Sequence, residues 1–353
     1  MKTILTVVGA RPQFIKAAPV SAVIREFFNE YLVHTGQHYD NNMSDVFFEQ
    51  LKIPKPDLNL GVGSGSHGEQ TARMLSQLEK VINEIRPDLV LIYGDTNSTL
   101  AASLAAAKLQ VSIAHIEAGL RNFDLRIPEE INRVVADKLS RFLFAPTKTA
   151  VRNLQHEGIV DNVYLTGDVM FDALMRGIEI SKGNTKILDE CSVCPGGYCL
   201  TTIHRAENTD NVDNLKNILD ALGGFSEQVL FPIHPRTRKV IRNNALELPV
   251  NIRLIDPVGY LDFIVLEANA KIIVTDSGGV QREAYCLQKP CITVFPSTSW
   301  VETVDDGWNK LVDASPESII AAYNSDYSTT TYSAHFGDGH AAEAITEILR
   351  KVL

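Results

Sequence analysis

The sequence predicts an α/β protein with two doubly wound domains, each built around a parallel sheet. Short apolar segments rich in β-branched residues recur along the chain, and stretches with helical periodicity lie between them. Apolar strands that alternate with helices are typical of parallel sheets covered on both faces. The pattern pauses once, between residues 167 and 197, and the length of 353 residues suits about two domains.

The predicted strands divide between the two halves of the chain. In the first half they are Ile4–Val8, Tyr31–His34, Leu89–Tyr93, Ser112–Ile116, Phe142–Ala145 and Val163–Thr166. In the second half they are Tyr198–Ile203, Val229–Ile233, Ile252–Ile255, Lys271–Thr275 and Cys291–Phe295. The clearest helix is Gln70–Ile85, in which Met74, Leu78 and Val81 fall on one face.

The pause in the strand pattern sets the predicted domain boundaries. Lys182-Gly183-Asn184 and Cys194–Gly197 are polar or turn-forming there. We therefore predict an N-terminal domain at residues 1–170 and a C-terminal domain at residues 190–340. Ligands of open α/β sheets bind beyond the carboxyl ends of the strands, so we expect the site in a cleft between the domains.

Composition excludes several classes of function. With 33 Lys+Arg against 43 Asp+Glu, the net charge of −10 gives no basic field for nucleic acid. No apolar run approaches the roughly 18 to 20 residues of a membrane span. The apolar N-terminus, Met1–Val8, is too short for a secretory signal, and the five cysteines do not suggest a disulfide framework. We expect a cytoplasmic protein that binds neither nucleic acid nor membrane.

Two motifs that suggest cofactors are set aside. Gly63–Gly68 matches G-x-G-x-x-G, but the preceding Pro54–Leu60 is a poor strand, so we interpret the motif as a loop rather than a dinucleotide site. Cys191-x-x-Cys194, with Cys199 nearby, lacks a fourth ligand at zinc-finger spacing. The prediction is therefore no cofactor and no metal site.

Charged residues in the first half gather where predicted strands end. Arg11 and Lys16 follow the first strand near a helix start, which favours anions. Asp95 and Glu117 follow two consecutive strands, and Glu129 opens a later helix. Three carboxylates in one partly buried site would raise one another's pKa values, as acid–base chemistry requires. Glu130, next to Glu129, is equally well explained as a macrodipole partner.

The second half carries an anion-binding pattern at its strand ends. His204-Arg205 ends one strand, and His234, two residues before Arg236, ends the next. Ser277-Gly278-Gly279 lies between a strand and a helix, where free backbone N–H groups could cradle a diphosphate. Glu283, one turn further, could accept hydrogen bonds from sugar hydroxyls. These residues indicate a phosphorylated small molecule, but they do not distinguish a glycosyltransferase from an isomerase or lyase.

Taken together, these segments resemble the non-hydrolysing UDP-N-acetylglucosamine 2-epimerases over nearly the whole chain. The matching segments are Gly9–Lys16, Gly36-Gln37-His38, Gly94-Asp95-Thr96, His115–Arg121, Pro128–Arg133, His204–Asn208 and Thr275–Gln281. The resemblance implies two Rossmann-like domains of the glycosyltransferase-B type. It also implies that a C-terminal helix, residues 341–353, packs back on the first domain.

The resemblance also implies the reaction. UDP is eliminated across C1–C2 to leave a 2-acetamidoglucal, and it then re-adds with inversion at C2, which interconverts UDP-GlcNAc and UDP-ManNAc without a cofactor. The implied catalytic residues are Asp95, Glu117, Glu129 and His204, and which carboxylate removes the proton stays open. The implied UDP ligands are Arg11, Lys16, Arg205, His234, Pro257, Tyr260, Ser277, Gly278, Gly279 and Glu283. The implied assembly is a homodimer serving polysaccharide biosynthesis.

Two departures from the family pattern leave alternatives. Asp40 stands where an allosteric segment of classical bacterial members has Gln, which puts allosteric activation in doubt. Pro296–Glu302 replaces a Thr-Glu-Arg-Pro-Glu type of run and looks closer to the branch acting on UDP-2,3-diacetamido-2,3-dideoxyglucuronate. That substrate is one alternative. A hydrolysing epimerase that releases ManNAc and UDP, and a nucleotide-sugar binding protein without turnover, are the others.

Overall fold

The computed structural model describes residues 1–37, 54–183, 185–327 and 330–353. These residues form two compact units. The first unit combines Met1–Arg176 with His335–Leu353, and the second is Gly177–Ala334. The chain passes from the first unit to the second within the helix Val169–Ser181.

The first unit contains a parallel sheet with helices between its strands. The described strands are β1 (Thr3–Val8), β2 (Asn29–His34), β3 (Leu58–Asn59), β4 (Leu89–Tyr93), β5 (Ile113–Ile116), β6 (Phe142–Ala145) and β7 (Val163–Leu165). The helices are α1 (Arg11–Ile24), α2 (His67–Ile85), α3 (Asn97–Lys108), α4 (Pro128–Leu139), α5 (Lys148–His156) and α6 (Val169–Ser181). The strand order is β3-β2-β1-β4-β5-β6-β7, so its direction reverses between β1 and β4.

The second unit repeats this architecture. Its described strands are β8 (Tyr198–Thr202), β9 (Gln228–Pro232), β10 (Ile252–Ile255), β11 (Ile272–Thr275), β12 (Cys291–Val294) and β13 (Asn309–Val312). Its helices are α7 (Ile187–Glu190), α8 (Ala206–Thr209), α9 (Val212–Gly223), α10 (Pro235–Asn243), α11 (Tyr260–Asn269), α12 (Gly278–Cys286), α13 (Val301–Asp305) and α14 (Pro316–Tyr323). The order β10-β9-β8-β11-β12-β13 reverses between β8 and β11.

The C-terminal helix α15 (Ala341–Val352) belongs to the first unit and packs against α1. Its first turn is capped by the Asp172 carboxylate, which accepts hydrogen bonds from the N–H groups of Ala341 at 3.1 Å and Ala342 at 2.7 Å. At its other end, the Arg350 guanidinium lies 4.0 Å from the centre of the Phe27 ring. Cap and cation–π contact fix both ends of the helix.

The strand pattern in the sequence comes from burial. In the first unit, Leu5, Val7, Val90 and Ile92 of the central strands are 0–1% exposed and form one core with the apolar face of α2. Central strands buried on both faces read as continuous apolar runs. None of the helices in the described ranges has both the length and the apolar character that crossing a bilayer requires.

The predicted fold class is confirmed, and the structure adds two strands. Each predicted strand is present, with its ends shifted by two residues or fewer. The additional strands are β3, which has two residues, and β13, which reads Asn-Lys-Leu-Val and is only partly buried at the sheet edge. Neither gives a continuous apolar run. Helix α2 begins at His67 rather than Gln70, because the Ser66 hydroxyl caps its first turn through the Glu69 N–H.

Candidate functional site

Polar groups of the first unit collect where its strand order reverses, at the carboxyl ends of β1 and β4. The Gln13 side chain joins the two loops there. Its Oε1 accepts hydrogen bonds from the N–H groups of Gly9 at 2.8 Å and Ala10 at 3.1 Å, and its Nε2 donates to the Tyr93 carbonyl at 2.8 Å. In open α/β sheets such a switch point is where ligands bind.

A buried ion pair lies at this point. The Lys16 ammonium is 2.6 Å from Glu117 Oε1, and each side chain is only 7% exposed. An ammonium at this distance stabilises the ionised carboxylate. Lys16, predicted as a phosphate ligand, is therefore bound to a predicted catalytic residue. Glu117 adopts a φ of 71°, in the left-handed region where strain clusters at functional sites.

Gly94 leaves the room that this ion pair occupies. A Cβ added at Gly94 would lie 3.1 Å from Glu117 Oε1 and 3.2 Å from Lys16 Nζ. The backbone of Gly94 also has a φ of 57°, which residues other than glycine rarely adopt. Because Tyr93 and Ile116 are register partners, the residues after them leave the sheet side by side.

A buried histidine supports the Gly94 backbone. His115 Nε2 is 2.8 Å from the Gly94 carbonyl, and Nδ1 is 2.7 Å from Asp137 Oδ1. Both partners are acceptors, so a doubly protonated ring satisfies both contacts. Asp137 also binds Arg121 at 2.8 Å. Burial acts to raise the pKa of Asp137, but the His115 hydrogen bond and the charges of His115 and Arg121 outweigh it and lower that pKa.

Asp95 is held by an arginine. Its Oδ2 accepts from Arg133 Nε at 2.9 Å and Nη2 at 2.6 Å, while a quarter of its side chain stays exposed. Burial opposes the charge of Arg133, but its carboxylate partners Asp95 and Glu130 raise the pKa of the guanidinium. Asp95 therefore has a fixed orientation and an accessible face.

The neighbouring carboxylates Glu129 and Glu130 have different environments. Glu130 is 1% exposed and accepts from the N–H groups of Asn122 and Phe123 at 2.9–3.1 Å, so it holds the preceding loop. Glu129 is exposed in the first turn of α4. It lies one turn before Arg133, on the same helix face, and so near the residue that holds Asp95. Arg11 is exposed at the start of α1.

In the second unit, Asp276 organises the loop after β8. The carboxylate is fully buried and accepts from the N–H of His204 at 3.0 Å, the N–H of Arg205 at 2.9 Å and Asn208 Nδ2 at 3.1 Å. It directly follows β11, the strand next to β8 at the point of reversal. Asp276 thus fixes the backbone that presents the predicted catalytic residue His204 and the predicted ligand Arg205.

The two predicted histidines of this unit are neighbours. The ring centres of His204 and His234 are 5.9 Å apart. Burial removes solvent from the His234 ring and, together with the nearby charges of His204 and Arg236, lowers the pKa of His234. His234 Nδ1 accepts from the Arg236 N–H at 3.2 Å, so the proton of the neutral ring is on Nε2. The Arg205 guanidinium lies 4.2 Å from the centre of the Phe295 ring.

The diphosphate cradle was predicted at the start of α12. Ser277 is the N-cap residue, but its side chain makes no capping hydrogen bond, and Gly278 and Gly279 are the first helical residues. Small residues leave first-turn N–H groups accessible to an anion. Glu283, in the same helix, is 6% exposed. Tyr260 is buried at the start of α11, and Pro257 is exposed in the turn before it.

The remaining residues considered from sequence belong to the allosteric comparison and the cysteine motif. His38 and Asp40 of the allosteric comparison lie outside the described residues. Cys191 and Cys199 are buried and Cys194 is exposed, all as free thiols.

Sequence reasoning missed the residues that support the site, chiefly Gln13, Arg133, Asp137 and Asp276. All but Asp137 stand inside quoted motifs, and of the four only Asp276 is a charged residue directly after a strand. The contacts themselves are not visible in sequence, because Asp276 meets residues about 70 positions away.

Comparison with known proteins gives consistent matches. The sequence profile of a family described as UDP-N-acetylglucosamine 2-epimerase matches residues 22–350. The chain is 52% identical to a UDP-N-acetylglucosamine 2-epimerase homolog of Methanococcus maripaludis, over 99% of each chain. It is 46% identical to the UDP-2,3-diacetamido-2,3-dideoxy-D-glucuronate 2-epimerase of Pseudomonas aeruginosa, again over 99% of each. The crystal structure of Methanocaldococcus jannaschii UDP-GlcNAc 2-epimerase in complex with UDP-GlcNAc and UDP superimposes with a TM-score of 0.88 at 42% identity, covering 99% of this chain and 100% of that one.

Proposed function

Because the chain belongs to the UDP-N-acetylglucosamine 2-epimerase family, we propose that it interconverts UDP-GlcNAc and UDP-ManNAc by eliminating and re-adding UDP. Membership of the family was predicted from the motifs and is confirmed. The observation that carries the proposal is the buried Lys16–Glu117 pair at the switch point of the first sheet. It supplies an ionised carboxylate in a site with little water.

The elimination step removes a proton from C2 and breaks the bond between C1 and the diphosphate oxygen. The C–H electron pair forms the C1–C2 double bond, and the C1–O pair leaves with UDP. A carboxylate must take the proton. We propose that Glu117 and Asp95 act on opposite faces of the sugar, one as the base and the other as the proton donor. Glu129, exposed one turn before Arg133, is the third candidate. Re-addition with a proton delivered to the opposite face completes the inversion.

The leaving diphosphate needs positive charge and N–H donors. We propose that α12 offers its first-turn N–H groups at Ser277, Gly278 and Gly279, and that His204, Arg205 and Arg11 add side-chain donors. The neutral His234 ring supplies a donor at Nε2. Glu283 accepts from the ribose, and Pro257 and Tyr260 contact the uracil. Lys16, predicted as a phosphate ligand, instead keeps Glu117 ionised in this proposal.

A second substrate is favoured by one specific observation. The Pseudomonas aeruginosa relative named for UDP-2,3-diacetamido-2,3-dideoxy-D-glucuronate is 46% identical, which lies between the 52% of the UDP-N-acetylglucosamine 2-epimerase homolog and the 42–45% of two relatives named UDP-N-acetylglucosamine 2-epimerase.

Proton NMR in deuterated water tests the proposal. With UDP-GlcNAc we expect deuterium at C2 and UDP-ManNAc as product, while stoichiometric UDP release would indicate the hydrolysing alternative. Glu117→Gln should lower the rate by at least about 10²-fold, the contribution of one general base. Glu79→Gln, an exposed change in α2, is the control. Binding without exchange at C2, with either UDP-sugar, would refute the proposal.

We also propose that the working form is a cytoplasmic homodimer supplying sugar for polysaccharide biosynthesis. The support is the family pattern of the sequence. Light scattering with size-exclusion chromatography gives the oligomeric state, and a monomeric mass at micromolar concentration would contradict the dimer.

A further inference from the structure

A buried carboxyl group lies close to the proposed ribose ligand without a conventional partner. Glu267, on α11, is 0% exposed, and in the described part of the chain neither of its carboxyl oxygens accepts a hydrogen bond. A carboxylate buried without donors is strongly disfavoured, so such a group neutralises by taking up a proton.

The neighbour of Glu267 is Glu283 on α12. Burial, the charge of Glu283 and a side-chain hydrogen bond between the two together raise the pKa of Glu267 well above its ordinary value. Two ionised carboxylates offer only acceptors, so a hydrogen bond between them requires one proton. Tyr198 on β8 and Cys291 on β12 also face Glu267, and burial raises the pKa of each. Both groups are therefore neutral at physiological pH, and neither compensates a second negative charge.

We propose that protonated Glu267 is a positioning residue, which donates a hydrogen bond to Glu283 and so orients the Glu283 carboxylate toward a hydroxyl of the UDP ribose. This inference rests on the proposed function of Glu283. The pair holds one proton and one negative charge. The proton fixes one oxygen of Glu283, and the other oxygen is left to accept from the sugar.

The orientation of Glu283 should be lost as the pH rises. Loss of the shared proton at high pH leaves two buried carboxylates that repel each other, so Glu283 loses its orientation and ribose recognition weakens. A glutamine at position 267 keeps an N–H donor and has no proton to lose. A methionine of similar size keeps the volume and removes the donor.

Calorimetric titration with UDP and with 2′,3′-dideoxyuridine diphosphate tests the inference, because the ratio of the two dissociation constants isolates the ribose hydroxyls. At pH 7 the native protein should prefer UDP. Glu267→Gln should keep that preference, and Glu267→Met should reduce it by about 10-fold or more, the effect of losing a hydrogen bond to a charged group. In the native protein the ratio should fall as the pH is raised above 7, whereas in Glu267→Gln it should stay constant.

A purely structural role for Glu267 predicts weaker binding of both nucleotides with an unchanged ratio. A ratio that is unchanged in Glu267→Met, or that falls with pH equally in Glu267→Gln, would overturn the inference. Glu247→Gln, an exposed change in the same unit, is the control for both measurements. Exchange at C2 by the native protein is measured separately, so failure of the proposed reaction and failure of this inference give different results.

Discussion

The Lys16–Glu117 pair allows a direct test of how much burial contributes to an ion pair in this fold. Replacing Lys16 by Met removes the ammonium from the Glu117 carboxylate in a site where that side chain is 7% exposed. Breaking a buried pair in this way costs about 3–5 kcal/mol of unfolding free energy. The chain contains a matched control in the same unit. Arg73 and Glu69 have the same 2.6 Å separation, but their side chains are 46% and 56% exposed.

Urea unfolding followed by far-UV circular dichroism measures both pairs. Arg73→Met should cost no more than about 1 kcal/mol, as exposed pairs do. The variant with both Lys16→Met and Glu117→Gln should be more stable than the sum of the single changes predicts, because neither charge of the pair is then buried without the other. Equal losses in Lys16→Met and Arg73→Met, or additive effects of Lys16→Met and Glu117→Gln, would refute the electrostatic reasoning.

Three further changes have defined outcomes. Asp137→Asn removes the anion that compensates His115 and Arg121, and displacement of the Gly94–Asp95 turn should lower kcat by about 10²-fold; an unchanged kcat in the NMR assay would contradict this. As the pH rises above 4.5, the native protein should lose up to about 1.4 kcal/mol of unfolding free energy per pH unit, because the folded state keeps the Glu267 proton that the unfolded chain releases. Glu267→Gln should not show this loss in urea titrations, and parallel curves for the two proteins would argue against the linkage. Burial raises the pKa of Asp172 from 3.8 to about 6; the N–H groups of α15 partly offset this effect, and nearby carboxylates reinforce it. The native protein should therefore lose about 3 kcal/mol of unfolding free energy between these two pH values, and Asp172→Asn should not. Equal pH slopes for the two proteins would exclude the linkage.

Much of the fold could be predicted from sequence because the central strands are buried on both faces. Leu89–Tyr93 and Phe142–Ala145 have the same bounds in sequence and structure, since a continuous apolar run ends where the chain leaves the sheet. β13 was missed for the converse reason, because an edge strand needs only one apolar face.

The candidate site divides in the same way. Residues directly after strand ends, such as Asp95 and Glu117, could be located because the ends of parallel strands meet at one edge. Their partners could not. The ion pair of Lys16 and the network of His115 with Asp137 depend on side-chain directions set by tertiary packing. Adjacent carboxylates can also have opposite roles, as Glu129 and Glu130 do, since only the folded loop distinguishes them.

The return of α15 to the first unit determines how this protein can be divided. A recombinant fragment ending at Arg176 would contain every strand of the first sheet but not the helix that packs on α1. Asp172 would then face water in place of the N–H groups of Ala341 and Ala342. The second unit is one uninterrupted stretch of chain, Gly177–Ala334. The first becomes continuous only when His335–Leu353 is joined to it, for example ahead of Met1 in a circular permutant.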